Sequence, residues 1–219
     1  LKIVVFDVCG TLYHANTMFD FVAGYLAGSD GIAFRIWRAL RRCYPVVLAN
    51  ALLFKITGVD LLRGGALRLL KGHSLEQLDR AAETFVMGPL AEMENYEVKA
   101  LLASLRKKAG PVLVSGSLDF IVGKVAQRFG IDTFYASRPQ VIGGRLTGRF
   151  EDDILMKKHG FFSEFKKGGR KGLVVVTDNR GDLPLVRLAD AAFVLADGRK
   201  RRFWQRQGIG NLTILDPAR

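Results

Sequence analysis

Only two cysteines, Cys9 and Cys43, occur in 219 residues. They stand in unlike contexts, so no disulfide framework is expected and a reducing compartment is. Long apolar runs are missing too. The most conspicuous, Tyr44 to Phe54, is 11 residues, roughly 16 Å of helix at about 1.5 Å per residue. That is half of a ~30 Å hydrocarbon core, which excludes a transmembrane helix there. Near the start, Ile3 to Phe6 is too short for the apolar stretch of a signal peptide and stops at Asp7. The three histidines, His14, His73 and His159, lack metal-ligand spacing, although His14 follows Asp7 closely enough to approach a ligand there. No internal repeat or low-complexity tract is present. Acid is in deficit as well: 21 Asp and Glu stand against 33 Lys and Arg, a formal net charge of +12. Such an excess favours anionic partners, whether nucleic acid, anionic lipid or phosphorylated substrates.

What is present alternates. Short β-branched and aromatic runs occur at Lys2–Phe6, Val112–Ser115, Thr133–Ala136, Leu173–Thr177 and Ala192–Leu195, with a weaker one at Leu212–Leu215. Helical patterns separate several of them, at Leu118–Phe129, Ile154–Phe165, Asp182–Ala189 and Arg199–Gln207. Strands alternating with helices predict a parallel sheet covered on both faces. Gly143-Gly144 between two short β runs predicts a hairpin appended to it. From about Asn16 to Leu105 the apolar residues recur at helical spacing instead. The fold class is therefore α/β, a three-layer Rossmann-like parallel-sheet core of residues 1–15 and 106–219, with an inserted all-helical cap at 16–105.

In open α/β sheets, ligands bind at the carboxyl ends of the strands. Those ends carry Asp7, Ser115, Asp178 and Asp182. A nucleophile-capable carboxylate, a hydroxyl and a pair of carboxylates together suit phosphate and a divalent cation. Phe6-Asp7-Val8-Cys9-Gly10-Thr11-Leu12 resembles the first motif of the haloacid dehalogenase superfamily, Asp-x-Asp-Gly-Thr. Val112-Leu-Val-Ser115-Gly-Ser117 is similar to the second, and Lys157 and Lys158 are candidates for its lysine. Thr177-Asp178-Asn179-Arg180-Gly181-Asp182 resembles the acidic fourth motif. The cap after the first motif, and Gly-Arg-Leu-Thr-Gly before the lysine, resemble the phosphoserine phosphatase branch.

That resemblance implies a Mg²⁺-dependent phosphatase or phosphotransferase working through an aspartyl-phosphate at Asp7. It implies Asp7, the backbone carbonyl of Cys9 and Asp178 on the metal, with Asp182 supporting. Ser115, Gly116, Thr11 and a lysine would hold the phosphoryl oxygens. Helical spacing to Phe162 and Phe165 suits Lys158, and spacing to Phe161 and Phe165 suits Lys157; Lys158 is preferred. The chain departs from the family at Cys9, where most members carry a second aspartate as general acid and base. A thiol with a pKa of about 8.5 replaces it poorly. Slow or specialised hydrolysis, phosphotransfer, and a catalytically weakened phosphate- or membrane-binding protein all remain open.

Arg35, Arg38, Arg41, Arg42, Lys55, Arg63, Arg68 and Lys71 surround Tyr44–Phe54, with Asp60 as the one acid. Either that run is the cap's own core and the cations a solvated face, or it lies in a membrane interface with its cations on anionic headgroups. The cap is loosely similar to that of bacterial phosphatidylglycerophosphate phosphatases of this branch, so the expected substrate is a small-molecule or lipid phosphate. The expected location is cytoplasmic, with peripheral contact at the inner face of the membrane in the lipid case. Arg199-Lys-Arg-Arg202 is read as a solvated run. No nucleic-acid partner is expected, because no recognised module accompanies the charge. Oligomeric state is left open.

Overall fold

The computed structural model describes residues 2–169 and 172–217, apart from the side chains of residues 164–166, so Phe165 lies outside the comparison. Among the described residues seven strands, β1 (Ile3–Phe6), β2 (Gly110–Leu118), β3 (Thr133–Ile142), β4 (Arg145–Asp152), β5 (Leu173–Thr177), β6 (Ala191–Leu195) and β7 (Leu212–Leu215), form one sheet. Its order is β4-β3-β2-β1-β5-β6-β7. Every pairing is parallel except β3 with β4. Alternate residues of the parallel strands feed two cores. Val4, Phe6 and Leu113 join the helices of the insert on one face. Val5, Val112, Val114 and Val175 meet Phe162, Leu185 and Trp204 on the other. Burial on both faces is why these strands are continuous apolar runs.

Between β1 and β2 lies the helical insert: α1 (Thr17–Tyr25), α2 (Ile32–Leu40), α3 (Tyr44–Thr57), α4 (Leu61–Leu69), α5 (Leu75–Met87) and α6 (Tyr96–Arg106). Local chemistry sets the ends. Asn16, Asp60 and Asn95 each accept a backbone N–H from the first turn of the helix they precede. Pro45 sits in the first turn of α3, and Gly58, at φ +73°, ends it. The remaining helices are α7 (Asp119–Phe129), α8 (Gly160–Lys167), α9 (Leu183–Leu188) and α10 (Gly198–Gln205).

Three sequence expectations are corrected. The strand expected at Thr133–Ala136 runs on to Ile142 and is itself the first arm of the hairpin. Gly143 and Gly144, both at positive φ, turn the chain in two residues so that Val141 pairs with Leu146. The helix expected over Ile154–Phe165 begins only at Gly160. Asp153 accepts the N–H of Leu155 through its side chain and turns the chain there instead. Finally, Tyr44–Phe54 is not the core of the insert, because no residue of α3 is buried. Phe21, Phe34, Trp37, Leu67 and Leu78 supply that core, continuous with the sheet.

Candidate active site

Asp7 ends β1, the middle strand of seven, and its neighbours β2 and β5 bring Ser115 and Asp178 to the same edge. A cleft of about 890 Å³ opens there, walled by Asp7, Cys9, Ser115, Gly116, Lys158 and Asp178. A larger hollow of about 1120 Å³ near α5, α7 and the hairpin contains none of these residues.

The Asp7 carboxylate is nearly buried. Its Oδ1 accepts the N–H of Val8 at 2.8 Å and lies 3.0 Å from Lys158 Nζ. Burial pushes its pKa up to about 7; Asp182 and Asp178 push the same way, and Lys158 opposes them. Lys158 is buried between two carboxylates, reaching Asp182 Oδ2 at 3.1 Å as well. Burial alone would lower its pKa, but Asp7 and Asp182 outweigh it and hold the ammonium charged. Asp182 also accepts from Thr177 Oγ1 at 2.7 Å and does not reach the cleft wall. It holds the lysine in place. Lys157 points away, exposed, to Asp152 at 3.2 Å.

Asp178 is placed from both sides. Its N–H donates to Thr11 Oγ1 at 2.9 Å, and the Thr11 hydroxyl donates to Asp178 Oδ1 at 3.2 Å. Thr11 is therefore turned to a carboxylate and not to the cleft, where it was expected to meet phosphate. Gly10, at φ +72°, passes so close that a Cβ there would stand 2.6 Å from the Asp178 carboxylate oxygens. Only glycine lets the loop after Asp7 approach that acid.

Cys9 faces hydroxyls. Its Sγ lies 3.0 Å from Thr17 Oγ1 and 4.0 Å from Ser115 Oγ, and Thr17 donates to Ser117 at 2.7 Å. Burial, aided by the charge on Asp7, pushes the thiol pKa up, so it stays protonated at neutral pH. His14 is exposed and stands outside the cleft wall.

Two residues of the site were not anticipated. Arg63, counted among cations expected on a solvated face or on lipid headgroups, is buried. It donates to the Gly116 carbonyl, to Asp153 and to Ser137 Oγ, and stacks over Phe150. Lys200, counted in a solvated run, places Nζ 2.7 Å from Asp178 Oδ2. The signal for Lys200 was topological: α10 follows β6, whose carboxyl end adjoins that of β5. For Arg63 the sequence holds no comparable signal.

Comparison with known proteins supplies a family and a fold. The family model described as haloacid dehalogenase-like hydrolase matches residues 4–187. Searched against curated proteins, the sequence finds no match. Among solved structures, a protein of unknown function from Bordetella pertussis Tohama I has a TM-score of 0.76 at 19% identity, covering 99% of each chain. A phospho-aspartyl intermediate analogue of phosphoserine phosphatase has a TM-score of 0.67 at 19% identity, over 100% of this chain and 94% of that one. A substrate-bound phosphoserine phosphatase complex gives 0.63 at 18% identity, over 90% and 87%. These likenesses establish the fold.

Proposed function

The chain belongs to the haloacid dehalogenase-like hydrolase family, and from that premise we propose that it is a Mg²⁺-dependent phosphohydrolase acting on a phosphomonoester through an aspartyl-phosphate on Asp7. In this reading residues 1–15 and 106–219 are the catalytic body, and residues 16–105 are the lid. The observation that carries it is the placement of Asp7, buried at the end of the central strand, 3.0 Å from a charged Lys158 and on one cleft wall with Ser115.

The metal is tested by the donors present. Among the described residues no group of three or more His, Cys, Asp or Glu forms a cage. Magnesium does not need one, because it takes one or two carboxylates and keeps waters and substrate oxygens. Asp7, Asp178 and the Cys9 carbonyl would hold it. The upward push of Asp178 on the Asp7 pKa marks a pair of carboxylates that a cation would relieve. When bound, the ion neutralises charge between an anionic nucleophile and an anionic substrate.

The protein's own groups do the rest. An Asp7 oxygen forms a bond to phosphorus while the bond from phosphorus to the ester oxygen breaks. Lys158 and the Ser115 hydroxyl hold the equatorial oxygens as their charge builds. The leaving oxygen needs a proton, and the aspartyl-phosphate then needs water that has lost one. Cys9 stands where a carboxylate would do both, with a thiol that is a poor base at neutral pH. The second half-reaction is therefore the slow one, and transfer of the phosphoryl group to another acceptor is the second reading that Cys9 favours.

For the substrate, a lipid-linked phosphomonoester is favoured by Val47, Ala51 and Phe54 of α3, which make the outer cleft wall apolar. Assaying Mg²⁺-dependent phosphate release from soluble esters and from lipid phosphates in mixed micelles tests this reading. Turnover by Asp7→Asn equal to wild type would sink it.

A further inference from the structure

Helix α3 has three faces. Val47, Asn50, Ala51 and Phe54 line the Asp7 cleft. Val46, Ala49 and Leu53 line a second hollow of about 650 Å³, shared with α2 and α4 and walled almost wholly by apolar side chains. Tyr44, Leu48, Leu52 and Ile56 line neither. They recur every fourth residue, so they share one face, and they are 73%, 49%, 54% and 82% exposed. Helix α2 repeats the pattern. Phe34 and Trp37 turn inward, while Ile32, Ile36 and Leu40, again four apart, are exposed. Ile36 and Leu40 also edge the second hollow, so apolar surface continues from α2 across it to α3. Chains that stay monomeric in water rarely leave a contiguous apolar patch of this kind uncovered.

Charge identifies what covers it. Arg35, Arg38, Arg42 and Lys55 lie on or beside these two helices and are exposed. The single acid between residues 31 and 71, Asp60, is occupied by the N–H of Arg63 and the amide of Asn50. A two-fold contact with a second copy would set these cations against their own symmetry mates. An anionic lipid surface presents the opposite charge above an apolar layer, and lysine and arginine stems reach the headgroups while apolar neighbours sink below them.

We propose that the exposed face of α2 and α3 docks on an anionic bilayer, with the two stripes entering the interface and Arg35, Arg38, Arg42 and Lys55 on its phosphates. Among the described residues no single helix is long and apolar enough to cross a membrane, and the contact proposed is a peripheral one along the exposed face of α2 and α3. Its purpose rests on the reading of Asp7 given above, since α3 is also a wall of that cleft and docking would present the opening to a lipid-linked phosphomonoester. The binding itself does not depend on that reading.

The test is flotation with vesicles of phosphatidylcholine, with and without phosphatidylglycerol, at low and high salt. Wild type floats with the anionic vesicles only, and salt reduces the bound fraction. Leu52→Glu with Ile56→Glu lowers the partition coefficient about tenfold or more, equivalent to at least ~1.4 kcal/mol. Ile142→Glu, at an equally exposed position on the hairpin, leaves it unchanged. Melting temperature and Mg²⁺-dependent hydrolysis of a soluble aryl phosphate stay at wild-type level in both variants, because none of these side chains lines the cleft. Failure of wild type to float, or flotation of the double variant as wild type, overturns the proposal. So does a wild-type dimer that the double variant converts to monomer, which would make a second copy the occupant. If wild type floats and the double variant does not, yet neither hydrolyses any phosphomonoester, docking stands and the Asp7 reading falls.

Discussion

The guanidinium of Arg63, carried by helix α4 of the insert, donates to the backbone carbonyl of Gly116, next to Ser115 in β2 where the pairing with β3 shifts register. The same guanidinium binds Asp153 and Ser137, and Asp153 shapes the turn that leads to Lys158. One side chain of the insert thus clamps both core segments that would hold the transferred phosphoryl group.

Replacing Arg63 by Met removes these hydrogen bonds and leaves the Gly116 carbonyl and Asp153 without their partner. Loss of stability of about 1–3 kcal/mol follows from the unsatisfied groups. A larger effect is expected on turnover. Displacing catalytic groups by about 1 Å can cost ~10²-fold, so kcat should fall by roughly that factor while KM changes little. Arg63→Lys, with one ammonium in place of a fork, should recover stability more than rate. Equal kcat in wild type and Arg63→Met at a temperature where both are folded would show that the clamp is structural only.

How far the site was legible depended on the distance over which each residue is positioned. Asp7, Ser115 and Asp178 were readable because a parallel strand delivers its next residues to one edge of the sheet, a rule that needs only the local pattern. Lys158 was half readable: either lysine satisfied helical spacing, and only the folded chain sets Lys158 between Asp7 and Asp182 while Lys157 turns to Asp152. Arg63 was not readable at all, since its partners Gly116, Ser137 and Asp153 lie far away in the chain and only the folded state makes them neighbours. Likewise, the apolar composition of Tyr44–Phe54 suits a core helix and an uncovered one equally well. Its exposure follows from where α2, α4 and the sheet leave room.

Glu94 offers a pH test of the support behind the loop that follows Asp7. It lies in the segment that pairs with Tyr13 and accepts from Lys99 at 2.6 Å and Arg128 at 2.7 Å. Burial would raise its pKa, but the bonds from Lys99 and Arg128 outweigh it and the net shift is downward. A carboxylate whose pKa is depressed on folding adds stability above its unfolded value, about 4.3, and loses it as pH falls through the lower folded value. Glu94→Gln should therefore cost about 1 kcal/mol at pH 7, because Lys99 and Arg128 are partly exposed and can turn to water. The gap in melting temperature from wild type should narrow steadily below about pH 4. A gap that stays constant down to pH 3 would show that shape, not charge, makes Glu94 useful.

Lys200 competes for an oxygen of Asp178. Its side chain is partly exposed, so the pair is solvent-screened and worth no more than about 1 kcal/mol. Lys200→Met should tighten Mg²⁺ binding to the metal-free protein by about two- to fivefold, read by titration calorimetry without substrate. Weaker binding in the variant would mean that the ammonium supports the metal site and does not oppose it.

Cys9 decides which reaction the proposed site at Asp7 completes. Its thiol sits among the hydroxyls of Thr17 and Ser115, with Ser117 one bond further on. A carboxylate placed there would find hydrogen-bond donors and not an apolar pocket. Cys9→Asp should therefore fold, with a loss of stability of about 1–3 kcal/mol from a second carboxylate beside Asp7. An aspartate could protonate the leaving oxygen and then take a proton from water, work that supplies roughly 10²- to 10⁴-fold elsewhere. At least a tenfold gain in aryl phosphate hydrolysis is expected, about 1.4 kcal/mol of barrier, and it should be concentrated in the breakdown of the aspartyl-phosphate. Rapid-quench measurement separates the steps: wild type should show a burst of released alcohol followed by slow release of phosphate, and Cys9→Asp should lose the burst. Equal melting temperatures with no faster hydrolysis would mean that the substrate, or an acceptor other than water, already provides the proton transfers. The natural reaction would then be phosphoryl transfer, with Cys9 retained because it keeps water from completing the second step.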